Sequence, residues 1–341
     1  MAAHERPESG SRLGGEQGQR HPHDRLTETV SPPTDFKGWR KAELHCHLDG
    51  AVRPDTAEEL ARQLELDLPR PLRLVAPADC RSQAEFLTYF DDAIAVLQTE
   101  GALERAAYEL AVDSAAENID YLEVRWAPRL HTKRGLSIGA IIGAVLRGLD
   151  AAPPTSFGIV CALRQHSVEE NLELVRAAGP YAGLGLAGFD LAGDEASWPA
   201  APQARAFEAA AAAGLRLTCH AGEAGEPANV EEALGLHVER IAHGVIGARD
   251  PRIVERVRAE GVVLDLCPTS NWKCKAVPSL AEHPLPALVR AGVRCTISSD
   301  SRTVAGTTLS REFELASTEM AMTEDELLRC NLTAYEARFG G

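Results

Sequence analysis

Ala42-Glu43-Leu44-His45-Cys46-His47 is a short, mostly apolar run closed by two histidines. Residues at i and i+2 of a strand point to the same face, so His45 and His47 can reach one metal ion while Cys46 turns the other way, into the core. Three more candidate ligands close later apolar runs: His220 in Leu217-Thr218-Cys219-His220, His243 in Ile241-Ala242-His243, and Asp300 in Ile297-Ser298-Ser299-Asp300. Imidazole and carboxylate donors without thiolate suit zinc or a neighbouring divalent transition metal. Such an ion lowers the pKa of bound water and supplies hydroxide at neutral pH. The chain reads as a metallohydrolase.

Outward from this run, apolar stretches recur at 42–47, 121–126, 157–163, 184–191, 215–220, 240–243, 262–267 and 294–299. Helix-forming segments lie between them, such as 205–213 before Gly214 and 251–259 before Gly261, each with the glycine stop that commonly ends a helix. Eight strands each followed by a helix predict a (β/α)8 TIM barrel, whose active sites lie at the C-terminal strand ends. The candidate ligands fall at such ends. The interval of about 70 residues between His47 and Tyr121 far exceeds the dozen or so that a parallel crossover needs. It carries helical patterns at 57–65 and 83–97, and predicts an inserted helical segment after the first strand that walls or lids the site.

Hydrophobic residues make up 45% of the 341 and charged residues 25%, enough apolar material for a substantial core. The net charge of −15 disfavours a nucleic-acid partner, because phosphate binding needs a basic face. No apolar stretch reaches the ~18 residues of a membrane span. Residues 1–38, rich in Gly, Pro, Ser, His and Arg, read as a disordered tail, and His21-Pro22-His23 within it as solvated rather than metal-binding. Residues 39–341 form the barrel domain. Eight cysteines without a C-x-x-C pair, and no apolar leader, favour a reduced, cytoplasmic setting.

Taken in order, His45-Cys46-His47-Leu48-Asp49-Gly50, Asp190-Leu191-Ala192-Gly193-Asp194-Glu195, His220-Ala221-Gly222-Glu223, Ile241-Ala242-His243-Gly244 and Ser299-Asp300 resemble the adenosine deaminase family. These are zinc-dependent purine nucleoside deaminases of the metal-dependent hydrolase superfamily. The resemblance runs from about Lys41 to the C-terminus. It implies a (β/α)8 barrel holding one Zn2+ per chain on His45, His47, His220 and Asp300, with His47 also facing substrate. It further implies that Glu223 exchanges a proton with purine N1, and that His243 orients or deprotonates the attacking water. The Gly193 amide would meet purine N3, and Asp49 the ribose. The chemistry needs such parts, since attack at C6 puts negative charge into the ring and a carboxylic acid protonating N1 removes it.

One departure concerns Asp300, which many relatives follow with a second aspartate that binds purine N7. Here Ser301 and Arg302 follow. A hydroxyl can donate to N7 without a protonated carboxyl, so Ser301 is a substrate-binding candidate. Arg302 is expected to pair with a surface carboxylate rather than reach an anionic group on a larger substrate. Asp194 and Glu195 are expected to cap the next helix, Asn271 and Trp272 to form a rigid loop, and His131, His166, His237 and His283 to be core or surface residues. The implied activity is hydrolysis of adenosine and deoxyadenosine to inosines and ammonia, in purine salvage. The alternatives are a 5′-modified adenosine such as the aminodeoxyfutalosine of bacterial menaquinone synthesis, or a catalytically silent nucleoside-binding barrel. Free adenine is disfavoured by His47-Leu48-Asp49-Gly50, where relatives acting on it resemble His-Leu-Glu-Gly. The cytidine deaminase signature is absent. The expected partner is a small purine nucleoside, with no nucleic acid and no membrane. A homo-oligomer stays open.

Overall fold

Eight parallel strands follow one another around a single sheet in the computed structural model, which describes residues 35–340. They are β1 Lys41–His47, β2 Ile119–Trp126, β3 Thr155–Leu163, β4 Leu186–Ala192, β5 Arg216–Ala221, β6 Arg240–His243, β7 Val263–Leu266 and β8 Cys295–Ile297. Strands in such a sheet are covered on both faces, which is why each reads as a nearly continuous apolar run. The (β/α)8 barrel predicted by that spacing is present. β8 is shorter than the run 294–299 because the chain leaves the strand before Ser298 and turns left-handed at Asp300, with φ of 59°. The seam between β8 and β1 is closed at that point, where Cys46 bridges Asp300 in parallel fashion.

The outward layer packs helices such as Ala204–Ala212 and Pro251–Glu260 against the strands, the second stopped by left-handed Gly261. The inward layer is less usual. Glu123, Arg240, Asp265, Arg125 and Asp190 are all buried in it and form a continuous ion-paired column. Buried charges persist when each has partners, and here every carboxylate faces a guanidinium. Phe339 seals the foot of the column, with the Arg240 guanidinium 3.7 Å from its ring centre.

The insert between β1 and β2 folds into helices Pro54–Gln63, Gln83–Leu87, Asp91–Val96 and Glu100–Ala116. The pattern at 83–97 is thus broken by a 3-10 turn, Thr88–Phe90. Its inner side presents Phe86, Leu87, Phe90 and Ile94 to the cavity above the strands, as a wall. Most of the expected tail lies outside the described residues. Its last part is packed: Asp35 caps a turn at Phe36–Gly38, and Phe36, 5% exposed, stacks on Trp39 and Phe313. Residues 35–38 thus pack against the barrel domain that was expected to begin at residue 39. Among the described residues no helix is long and apolar enough to cross a membrane, and all eight cysteines are buried and unpaired.

Candidate active site

His45 and His47 end β1, His220 lies in β5, and Asp300 follows β8. Their side chains converge. The His47 Nε2 atom is 3.3 Å from His45 Nε2, 3.2 Å from His220 Nε2 and 3.5 Å from Asp300 Oδ1, and His45 Nε2 is 3.4 Å from the same carboxylate oxygen. A tetrahedral zinc with ligands at ~2.0–2.1 Å spaces them about 3.3 Å apart, and these four separations match that spacing. Burial drives the His47 pKa down to about 3 and that of His45 well below the usual histidine range, so both rings are neutral and offer lone pairs. Burial would raise the Asp300 carboxyl, but hydrogen bonding and charge from His45 hold it well below the ordinary range. The donor set fits a divalent metal.

Behind the cluster, His220 Nδ1 lies 2.9 Å from Asp190 Oδ2, which also takes a hydrogen bond from Arg125 Nη1 at 3.0 Å. A carboxylate on the far nitrogen fixes the tautomer and ring direction of a metal-binding histidine. The buried column of the barrel thereby ends on a candidate ligand. Asp190 opens the Asp190–Glu195 motif, yet its role depends on facing His220, which sequence spacing alone does not show.

Glu223 begins the loop after β5. Glu195 holds that loop by accepting from the amides of Gly222, Glu223 and Ala224 at 2.6, 2.9 and 2.9 Å. Its role is this clamp, not the expected helix cap, while Asp194 caps a turn through the Ser197 amide at 3.2 Å. Gly222 is needed there: its φ is 74°, and a Cβ would sit 2.7 Å from Val230 Cγ2 and 3.0 Å from the Gly244 backbone. The Glu223 carboxylate accepts from Gln83 Nε2 of the insert, and its Oε1 lies 3.7 Å from His243 Nε2. Gln83 also accepts from the Glu195 amide at 3.3 Å, a role with no sequence signal beyond its place in the insert. His243 itself adopts φ of 73°, an unusual conformation for a non-glycine residue and one often found at functional sites.

The cavity over these groups measures about 230 Å³ and is lined by His47, Asp49, Gly193, His220, Glu223, His243 and Asp300 with apolar walls from the insert. Asp49 is buried, its Oδ1 has no hydrogen-bond partner among the described residues, and burial pushes its pKa up to about 7. His131, otherwise anchored to the Leu97 carbonyl at 2.9 Å, approaches Asp49 Oδ2 at 3.9 Å. Ser301 does not join the lining. It is fully buried against Gly50, where an added Cβ would lie 2.6 Å from Ser301 Cβ, and its hydroxyl donates to Asp300 Oδ1 at 3.1 Å. The Ser301 hydroxyl, expected to meet the purine, is thus engaged on the Asp300 carboxylate. Arg302 faces Glu43 at 3.9 Å, a buried carboxylate rather than a surface one. Asn271 and Trp272 lie on a short helix, Pro268–Lys273, rather than a loop, and Asn271 Nδ2 lies 3.0 Å from His243 Nδ1.

The adenosine deaminase family profile matches residues 40–340. The adenosine deaminase of Lacticaseibacillus casei strain BL23 is 37% identical over 308 residues, spanning 88% of this chain and 91% of that protein. Among solved structures, a zinc-bound amidohydrolase from Burkholderia ambifaria superposes with a TM-score of 0.84 at 26% identity, covering 90% of this chain and 87% of that one. The N6-mAMP deaminase of Arabidopsis gives 0.82 at 25% identity, with coverage of 90% and 95%.

Proposed function

The chain belongs to the adenosine deaminase family, and we propose that it is a hydrolytic deaminase of adenosine and 2′-deoxyadenosine. The observation that carries the choice of a nucleoside is the cavity lining, which includes Asp49, Asp91, Glu223 and Asp300 but no lysine or arginine. A 5′-phosphate placed there would lose its hydration and meet carboxylates instead of cations. Arg302, the one residue that suggested an anionic extension, faces Glu43 in the barrel wall. This lining supports adenosine over a nucleotide or a carboxylate-bearing 5′ derivative.

His45, His47, His220 and Asp300 would hold one zinc ion, which when bound supplies the Lewis acidity that makes water nucleophilic at neutral pH. Glu223 takes one hydrogen of the attacking water and gives it to purine N1 as the water oxygen adds to C6, so charge does not build up in the ring. The C6–N6 bond then breaks, the amine leaves as ammonia with a proton from the added oxygen, and N1 keeps its proton in the product. The Gly193 amide meets N3, and the unpartnered Asp49 oxygen accepts from a ribose hydroxyl. The Phe86, Leu87 and Phe90 wall excludes water from the purine. Ser301 orients Asp300. Eight buried, unpaired cysteines support a cytoplasmic setting.

Ammonia release from adenosine, deoxyadenosine, adenine, AMP and 5′-extended adenosines tests this reading. Adenosine and deoxyadenosine should lead by kcat/KM. A preference for AMP or a 5′-extended substrate would refute the argument from the lining.

A further inference from the structure

Asn271 stands between two histidines from distant parts of the chain. Its Nδ2 lies 3.0 Å from His243 Nδ1, and its Oδ1 lies 3.1 Å from His283 Nε2. Two backbone amides, whose hydrogens cannot relocate, decide which atom donates. Cys267 N–H donates to Asn271 Oδ1 at 3.3 Å, so that end of the amide is oxygen and the other is NH2. Leu285 N–H donates to His283 Nδ1 at 3.2 Å, so that nitrogen carries a lone pair and the ring hydrogen sits on Nε2, directed at Asn271 Oδ1. Burial lowers the His283 pKa to about 3, which keeps that ring neutral. The Asn271 NH2 can only donate, and His243 Nδ1 opposite it can only accept. The ring hydrogen of His243 is left on Nε2. That nitrogen is buried, has no hydrogen-bond partner among the described residues, and belongs to a residue lining the cavity.

We infer that Asn271 and His283 are positioning residues that lock His243 in its Nε2–H tautomer, so that His243 faces the substrate as a hydrogen-bond donor and not as a base. The inference rests on the deaminase reading of the site. A lone pair on Nε2 would require a hydrogen on Nδ1, and Asn271 would then have to turn its oxygen toward His243. Its NH2 would then face both Cys267 N–H and His283 Nε2–H, leaving buried donors unsatisfied at about 1–3 kcal/mol each. His243 Nε2–H instead donates to the oxygen adding at C6 and stabilises the charge that develops there. Both hydrogens of the attacking water then pass through Glu223: its carboxylate takes the first and gives it to N1, and, freed by that transfer, takes the second from the added oxygen and gives it to the departing amine.

The tautomer is directly measurable in the metal-loaded enzyme labelled with 15N-histidine. Imidazole 15N shifts and long-range 15N–1H couplings should show His243 with a protonated Nε2 and a bare Nδ1, assigned by the signals lost in His243→Ala. A bare Nε2 in the wild type overturns the inference even if adenosine is turned over. Absence of ammonia release with the Nε2–H signature intact would remove the deaminase reading and leave the tautomer standing. Asn271→Asp, nearly isosteric, offers His243 an acceptor and should move the hydrogen to Nδ1. We expect kcat to fall ~10²–10³-fold, the usual cost of losing one such donor, with KM and metal content little changed. A folded, metal-replete Asn271→Asp enzyme with wild-type kcat would overturn the donor role. His283→Gln keeps an N–H donor and should retain more kcat than His283→Leu; the reverse order counts against the relay.

Discussion

Asp300 and His45 meet twice. The Asp300 amide donates to the His45 carbonyl at 2.9 Å, and His45 Nε2 lies 3.4 Å from Asp300 Oδ1. The His47 amide returns the pairing to the Asp300 carbonyl at 2.6 Å. The barrel is thus sealed by the backbone of the residues proposed to bind metal, so the spacing of three donors is set by sheet hydrogen bonds rather than by mobile side chains. Such preorganisation is what a metal site of fixed geometry requires.

This relationship separates two roles of Asp300. Asp300→Asn keeps a residue that tolerates left-handed backbone but loses the anionic donor, whereas Asp300→Ala adds backbone strain. Both should lose metal and deaminase activity. In chemical denaturation of the metal-free proteins, Asp300→Ala should be the less stable by roughly 1 kcal/mol. Equal stabilities would mean that φ at this position carries no strain.

Glu223 is expected to act on protons and not on the metal. Glu223→Gln should lower kcat ~10²–10⁴-fold, the range for a general acid, with metal content unchanged by elemental analysis. Retention of half the wild-type turnover would place the proton donor elsewhere.

Asp49 offers a buried oxygen with no protein partner, and a site built around such an acceptor rejects ligands that lack the donor. 5′-Deoxyadenosine should therefore be a clearly poorer substrate than adenosine, and Asp49→Ala should erase most of the difference in kcat/KM. If the difference survives in Asp49→Ala, Asp49 does not read the 5′-hydroxyl.

Outside the proposed ligand set, Glu312 accepts from the Thr269 amide at 3.0 Å and from the Thr307 hydroxyl at 2.5 Å in a fully buried pocket. Burial raises its pKa from 4.5 to about 7. The folded state therefore binds this proton more tightly than the unfolded chain. The associated stability is present below pH 4.5 and is lost as pH rises through about 7. The loss amounts to roughly 3 kcal/mol on linkage arithmetic. Comparing unfolding at pH 5 and pH 8 should show a steeper decline for wild type than for Glu312→Gln. Parallel declines would show that Glu312 is already ionised at pH 5.

The barrel was legible because every strand is buried on both faces, and because helix stops such as Gly261 are written in the chain. The convergence of the candidate ligands was legible for a related reason: His45 and His47 share a strand face by geometry alone. The groups around them were not. Asp190, Glu195, Gln83 and Asn271 act through partners dozens of residues away, and nothing in a carboxylate or amide side chain announces which backbone amide or ring it will meet. Ser301 shows the converse case. Its sequence position beside Asp300 suggested the purine, but the space left by Gly50 turns it inward. The charged column was equally hidden, since Glu123, Arg125 and Asp190 interrupt apolar runs in the way surface residues do.

The division of labour between strand ends and insert has a consequence for how such a protein changes. The residues proposed to carry the reaction sit at strand ends, while Phe86, Leu87, Phe90 and Ile94 come from one contiguous stretch between β1 and β2. Variation confined to that stretch can remodel what enters the cavity without disturbing a single proposed ligand. Gln83 is the exception, because it alone in the stretch holds the Glu223 carboxylate. A graft of this segment from a relative would carry over substrate choice, and its success would hinge on what the donor segment places at position 83.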